Sequence, residues 1–160
     1  MHYVMAKGIL FAGGNINLYR GCTHGCIYCD SRSRCYHIDH AFEDVEVKQN
    51  AVELLEDALR RRRAPCMVGT GSMTDPYLPL EAELRLTRRA MEVVERYGCG
   101  FTVITKSDLI LRDLDLLSRI QQNAKCVVQM TLTTADETLC RKLEPNVCTT
   151  ARRCEVLREL

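Results

Sequence analysis

The sequence predicts an α/β chain built on a parallel sheet. Four short runs rich in β-branched and apolar residues, 16–20, 66–70, 101–106 and 126–133, alternate with segments whose apolar residues recur at helical spacing. The alternation repeats at roughly 30 residues, the length of a right-handed βαβ unit. The first two runs are each followed by a glycine, Gly21 and Gly71, and open into polar loops, which is where parallel α/β folds place their chemistry. With 160 residues, 46% hydrophobic and 27% charged, the chain reads as one domain, 1–160, of ordinary globular composition rather than a disordered segment.

Charge and hydropathy exclude some classes. A formal net charge of +1 gives no global bias toward nucleic acid or membrane, so any basic patch must be local. No apolar run approaches the roughly 18 residues a membrane span needs. Residues 1–14 read as a leader without a long hydrophobic core or a cleavage site, so the expected location is the cytoplasm. There the 10 cysteines are expected as reduced thiols and metal ligands, not disulfides.

Ile16-Asn17-Leu18-Tyr19-Arg20 alternates apolar and polar residues, as a first strand would, and delivers the chain to Gly21-Cys22-Thr23-His24-Gly25-Cys26-Ile27-Tyr28-Cys29. Three thiols at this spacing would share one face of a helix, where cysteine is a small buried hydrophobe. Gly21 and Gly25 oppose that reading, since each costs a helix about 1 kcal/mol relative to alanine. A glycine-punctuated loop turns three sulfurs toward one point, and Gly25 would let the backbone approach a bulky inorganic core. Thiolates select zinc, copper(I) or iron-sulfur clusters. A closed zinc site takes four ligands, with His24, His37, His40 or Cys35 as the fourth, whereas a cubane held at three irons with one open accounts for three cysteines. Iron-sulfur, zinc and bare structural cysteines all stand at this point.

The remaining elements follow in order. Residues 30–39 are polar and irregular, and Val45–Lys48 is a short extended piece. Val52, Leu54, Leu55 and Leu59 mark a helix over 50–62, closed by Arg60-Arg61-Arg62-Arg63, whose charges complement the helix dipole. Cys66–Thr70 is a second buried strand, opening into Gly71-Ser72-Met73-Thr74-Asp75-Pro76-Tyr77, where turn chemistry explains the glycine and the Asp-Pro pair. One continuous helix is expected from Glu81 to Tyr97, with Leu86, Ala90, Val93, Val94 and Tyr97 on its stripe and Gly98 as its stop. Phe101–Lys106 is a third strand, and Ser107 or Asp108 caps a helix over 109–121. Cys126–Thr133 is a fourth strand with Gln129, Thr131 and Thr133 on one face. A short helix over 136–143, a turn at Glu144-Pro145-Asn146 and a helix over 150–160 complete the chain. Cys35, Cys66, Cys99, Cys126, Cys140, Cys148 and Cys154 read as packing residues, with a second cluster from Cys140, Cys148 and Cys154 as the sharper alternative.

The triple Cys22, Cys26, Cys29, with the aromatic Tyr28 before its last member, resembles the signature of the radical S-adenosylmethionine (radical SAM) enzymes. The wider string from Asn17 to Cys29, with Thr74-Asp75-Pro76-Tyr77, Glu81 and Thr105-Lys106-Ser107, is similar to the spore photoproduct lyase-like branch. The resemblance implies a partial (β/α) barrel, here of about four βα units, and a 4Fe-4S cluster on Cys22, Cys26 and Cys29. It implies S-adenosylmethionine at the open iron, cleaved by one electron to a 5′-deoxyadenosyl radical, and a reductant of flavodoxin or ferredoxin type. Tyr28 would pack near the adenine, Ser72 and Thr74 would meet the methionine amino group, and Lys106 would pair with its carboxylate. Thr131 and Thr133 would contact ribose or carboxylate.

Family members run to about six units, so the resemblance also implies a truncated member whose fourth strand is an unprotected sheet edge. For substrate it suggests a DNA photoproduct, with Arg60–Arg63, Arg88, Arg89, Arg152 and Arg153 as phosphate contacts. A cluster-holding remnant or subunit and a zinc-stabilised binding module are the alternatives to an active enzyme.

Overall fold

The computed structural model describes residues 1–160. Its main sheet is parallel, in the order β4 (Met67–Thr70), β5 (Gly100–Thr105), β6 (Cys126–Met130). β5 is central and its Phe101 and Val103 are fully buried, which is why this run reads as continuously apolar. β6 is the edge strand. On the other flank the first predicted strand touches the sheet through one parallel bridge, Asn15 to Gly69, with the Ile16 N–H donating to the Gly69 carbonyl at 2.7 Å.

Helices cover the sheet as their apolar stripes dictate. Helix α1 (Ala51–Arg60) buries Ala51, Leu55 and Leu59, and α3 (Leu86–Arg96) buries Leu86, Ala90, Val93 and Val94, after α2 (Glu81–Leu84). Helix α4 (Leu114–Asn123) buries Leu116, Leu117 and Ile120. Two further helices, α5 (Glu137–Leu143) and α6 (Thr150–Glu159), follow β6, capped by Asp136 and Thr149.

Several sequence expectations need correction. Residues 1–14 are not merely a leader: β1 (His2–Val4) pairs in parallel with β3 (Glu46–Lys48), which pairs antiparallel with β2 (Tyr19–Arg20) in a second small sheet. The helix expected over 81–97 breaks at Arg85, whose φ of 50° closes α2. The cause is the buried Glu81 carboxylate, which accepts the Thr87 N–H at 3.1 Å and so acts as a cap for α3. The helix expected over 109–121 begins as a 3₁₀ segment, Asp108–Asp113, with the Ser107 hydroxyl accepting the Leu109 N–H at 3.3 Å. The fourth strand ends at Met130, so Thr131 and Thr133 lie on the segment beyond it.

Candidate metal and cofactor site

Residues 21–29 form turns and bends with no helix, which removes the reading of three thiols on one helical face. The small sheet delivers β2 to the loop, and the Cys22 N–H donates to the Phe42 carbonyl at 2.8 Å. Cys22 and Cys26 are buried and Cys29 half-buried, and all three are free. All three line one cavity of about 160 Å³. Gly25, with φ 72°, does not open toward that cavity as expected: a Cβ there would meet Pro145 and Asn146 at 3.0 and 3.1 Å, so the close approach is to the turn after α5.

The cavity lies at the C-terminal ends of the parallel strands. Ser72 follows β4, Lys106 follows β5 and Thr131 follows β6, and each contributes to its wall. This matches the general placement of chemistry in parallel α/β folds. Burial pushes the Cys22 thiol up to about 11 and raises that of Cys26, so each needs a cation to hold it as thiolate at neutral pH.

Asp75 organises one wall. Its carboxylate accepts from the Thr105 hydroxyl at 2.7 Å, the Lys106 N–H at 2.7 Å and the Tyr77 N–H at 2.9 Å. His24 Nδ1 stands 3.5 Å from the same carboxylate, and burial lowers the His24 pKa, favouring a neutral ring. Asp75 thus ties the loops after β4 and β5 to the cysteine loop.

Glu144, outside the lining itself, holds a second set of cavity residues. It accepts from the Tyr28 hydroxyl, from the Thr133 hydroxyl at 2.7 Å and from Arg153 at 2.8 Å. Lys106 Nζ lies 4.0 Å from Glu144 and 5.8 Å from the centre of the Tyr28 ring, so an ammonium and an aromatic face meet at the mouth. Arg153 is fully buried and also donates to the Thr131 carbonyl at 2.6 Å and the Cys148 carbonyl at 3.1 Å.

The predicted contact residues are therefore distributed unevenly. Tyr28, Ser72, Lys106 and Thr131 line the cavity with the cysteines. Thr74 is buried on the same loop but outside the lining, and Thr133 reaches the site through Tyr28 and Glu144. Asp75, Glu144 and Arg153 were missed as site residues because Asp-Pro and Glu-Pro-Asn read as turns and an arginine on a terminal helix reads as surface. The Thr74-Asp75-Pro76-Tyr77 string was the available signal for Asp75.

The thiols do not form a single-ion site. Sulfurs on one tetrahedral zinc at about 2.3 Å stand about 3.8 Å apart. No three donors of this cavity gather within 4.8 Å of one another, the limit met elsewhere by His2, His40 and Glu46. Among the suggested fourth zinc ligands, Cys35 and His37 are exposed and His40 bonds to Glu46 in the small sheet. A core that gives each sulfur its own metal ion fits this donor set better. Cys140, Cys148 and Cys154 are likewise not gathered as a metal group. Cys140 packs against Arg153 at 3.0 Å, and Cys148 donates to the Lys106 carbonyl at 3.1 Å.

Most of the arginines suggested as phosphate contacts have other partners, the exceptions being the exposed Arg62 and Arg63 at the end of α1. Arg88 binds Asp113 and Asp115 at 3.0 and 2.9 Å, Arg152 binds Asp108 at 3.0 Å, and Arg60 binds Asp57 at 2.5 Å. Arg153, being fully buried, cannot meet a phosphate.

Comparison with known proteins agrees with this architecture. The model of the radical SAM superfamily matches residues 16–160. An uncharacterized protein of Methanocaldococcus jannaschii is 29% identical over 147 residues, 91% of this chain and 54% of that protein. One from Mycobacterium tuberculosis is 31% identical over 150 residues, 89% of this chain and 44% of that protein. Among solved structures, a mutant of spore photoproduct lyase superposes with a TM-score of 0.67 at 15% identity, covering 99% of this chain and 46% of that one. Another, with bound AdoMet and dinucleoside spore photoproduct, gives a TM-score of 0.64 at 15% identity, 99% and 46% coverage. The chain thus spans about half the length of these relatives, and its α/β architecture is a partial radical SAM fold. No helix is long and apolar enough to cross a membrane. On the match over residues 16–160, the chain belongs to the radical SAM superfamily.

Proposed function

We propose that this chain holds a 4Fe-4S cluster on Cys22, Cys26 and Cys29 and binds S-adenosylmethionine beside it, as the cofactor-binding core of a radical SAM enzyme. The observation that carries the reading is the convergence of three free thiols, and no fourth cysteine, on one cavity at the C-terminal ends of parallel strands. When bound together, cluster and S-adenosylmethionine supply one-electron cleavage of the sulfonium carbon–sulfur bond, giving methionine and a 5′-deoxyadenosyl radical that takes hydrogen from a substrate.

The chain's own residues bind and orient. Lys106 pairs with the methionine carboxylate and the Ser72 hydroxyl serves the amino group, with Thr74 buried behind it on the same loop. Tyr28 presents its ring to the adenine, held by Glu144 and Thr133, while Thr131 serves ribose or carboxylate. Burial of Cys22 and Cys26 limits water at the metal core, one of the levers that sets a cluster's potential. The electron comes from a flavodoxin- or ferredoxin-type donor.

For substrate, the family branch points to a DNA photoproduct, the ligand class of one solved spore photoproduct lyase. Arg88 and Arg152 are paired with carboxylates and Arg153 is buried, so of the suggested arginines only those at the end of α1 leave charge free for a phosphate. A second reading, a cluster-binding chain that does not turn over alone, is favoured by β6, a sheet edge with no strand paired beyond it beside the site.

Anaerobic reconstitution followed by a cofactor-cleavage assay tests both. Production of 5′-deoxyadenosine by wild type and not by Cys26→Ala supports the enzyme. An iron-loaded protein that yields none supports the second reading, and cleavage unchanged in Cys26→Ala refutes the site.

A further inference from the structure

On the small sheet, outside the lining of the cysteine cavity, His2 of β1, His40 of the loop before β3 and Glu46 of β3 each offer a donor atom within 4.8 Å of the other two. The two imidazoles pack edge to face with centres 4.9 Å apart. Both rings have one nitrogen held from behind. His2 Nδ1 lies 2.9 Å from the Asp44 carboxylate, and His40 Nδ1 lies 2.9 Å from the Ala41 carbonyl.

A carbonyl only accepts, so His40 Nδ1 carries a hydrogen. Its Nε2 stands 2.9 Å from Glu46 Oε1. A ring nitrogen facing a carboxylate at that distance needs a positive species between them, a second proton or a metal ion. The Asp44 carboxylate likewise fixes hydrogen on His2 Nδ1 and leaves Nε2 as the lone-pair donor. One ring nitrogen held by a carboxylate or carbonyl, with the other left to ligate, is the arrangement by which proteins orient metal-binding histidines.

We propose that His2, His40 and Glu46 form a metal site separate from the three cysteines, taking one divalent transition ion of the zinc class, with Asp44 and the Ala41 carbonyl as orienting groups. Two imidazoles and one carboxylate are borderline ligands that suit zinc and leave positions for water. Donors at about 2.0–2.2 Å from a tetrahedral ion stand about 3.3–3.6 Å apart. Seating the ion therefore opens the 2.9 Å contact between His40 and Glu46 slightly, within reach of half-buried side chains. Arg20 stands 3.9 Å from the same carboxylate oxygen but spends its guanidinium on the Tyr36 and His37 carbonyls, so one carboxylate charge remains for the ion. Bound there, the ion ties β1 and the loop before β3 to the sheet. Phe42, two residues past His40, holds the Cys22 N–H, so the tie lies close to the cysteine loop.

The chain has only 4 histidines, so zinc titration followed by imidazole NMR resolves each ring, and zinc taken by the cysteine loop is read separately through His24, the histidine that lines that cavity. The site predicts that the His2 and His40 ring signals shift together and saturate while His37 stays still. In His40→Gln the His2 shift is lost, with the amide spectrum retained as proof of folding. In Asp44→Asn the affinity falls about tenfold, as for loss of an orienting partner. The proposal is overturned if zinc moves only His24, if no ring moves, or if Glu46→Gln leaves shifts and affinity unchanged. None of these readouts depends on iron, so failure here is distinct from failure of the cluster assignment.

Discussion

Replacing Arg153 by Met removes one half of an ion pair whose two side chains are both 0% exposed. It leaves the Glu144 carboxylate with the Tyr28 and Thr133 hydroxyls, and strips a donor from the Thr131 and Cys148 carbonyls. Breaking a buried pair from one side costs about 3–5 kcal/mol, a fifth or more of a domain stability of about 5–15 kcal/mol. At this chain length that is a fall in Tm of roughly 6–20 °C. Glu144→Gln strands the guanidinium and costs about as much, whereas the double variant costs less than the sum, with a coupling of about 1–3 kcal/mol. Burial works to raise the Glu144 pKa, but the bonds from Tyr28, Thr133 and Arg153 outweigh it and hold the carboxyl below its usual range. A depressed folded value means the contribution is complete above about pH 5 and drains away as pH falls through that value. Without Arg153 burial dominates, so the gap between wild type and Arg153→Met narrows in acid. Urea melts of the four proteins between neutral and acid pH read all of this. Single-variant costs below about 1 kcal/mol, with an additive double, would match a solvated pair and refute the reasoning.

Three further outcomes follow from the same geometry. Tyr19→Phe takes one donor from the buried Glu81 and should cost about 1–3 kcal/mol in urea melts, with the α2–α3 break intact because Thr87 still caps on Glu81. Gly71→Ala puts a Cβ 2.1 Å from the Ile104 carbonyl oxygen at a φ of 102°, so a loss of about 2 kcal/mol or more is expected, together with weaker cofactor binding through the displaced Ser72. Lys106→Ala should weaken S-adenosylmethionine binding about tenfold in equilibrium dialysis while leaving iron content unchanged, as for loss of one charge-assisted contact.

The stripes of α1 and α3 were legible because burial follows a period of 3.6: Leu55, Leu59, Leu86, Ala90, Val93 and Val94 are all buried. The same holds for β5, whose β-branched run marks a central strand. The break at Arg85 was not legible, since Glu81, Ala82, Glu83 and Leu84 favour continued helix. What decides it is a carboxylate whose partners Tyr19 and Arg112 lie 62 and 31 residues away. β1 was hidden for a similar reason: three residues carry no periodicity, and their pairing partner begins at Glu46.

At the candidate site, the cysteines announced themselves by spacing and by the glycines around them. Lys106 and Ser72 were legible from their place at strand ends, a consequence of parallel topology. Glu144 and Arg153 were not, because a buried ion pair assembled from a turn and a terminal helix has no local pattern.

The most direct test is to load the purified protein with iron and sulfide under strict exclusion of oxygen and measure metal content and absorption, beside Cys22→Ala and Cys29→Ala. The account predicts a brown protein absorbing near ~400 nm with about four irons per chain, lost in both variants. A wild type that stays colourless and iron-free, or variants that load iron as well as wild type, would contradict it.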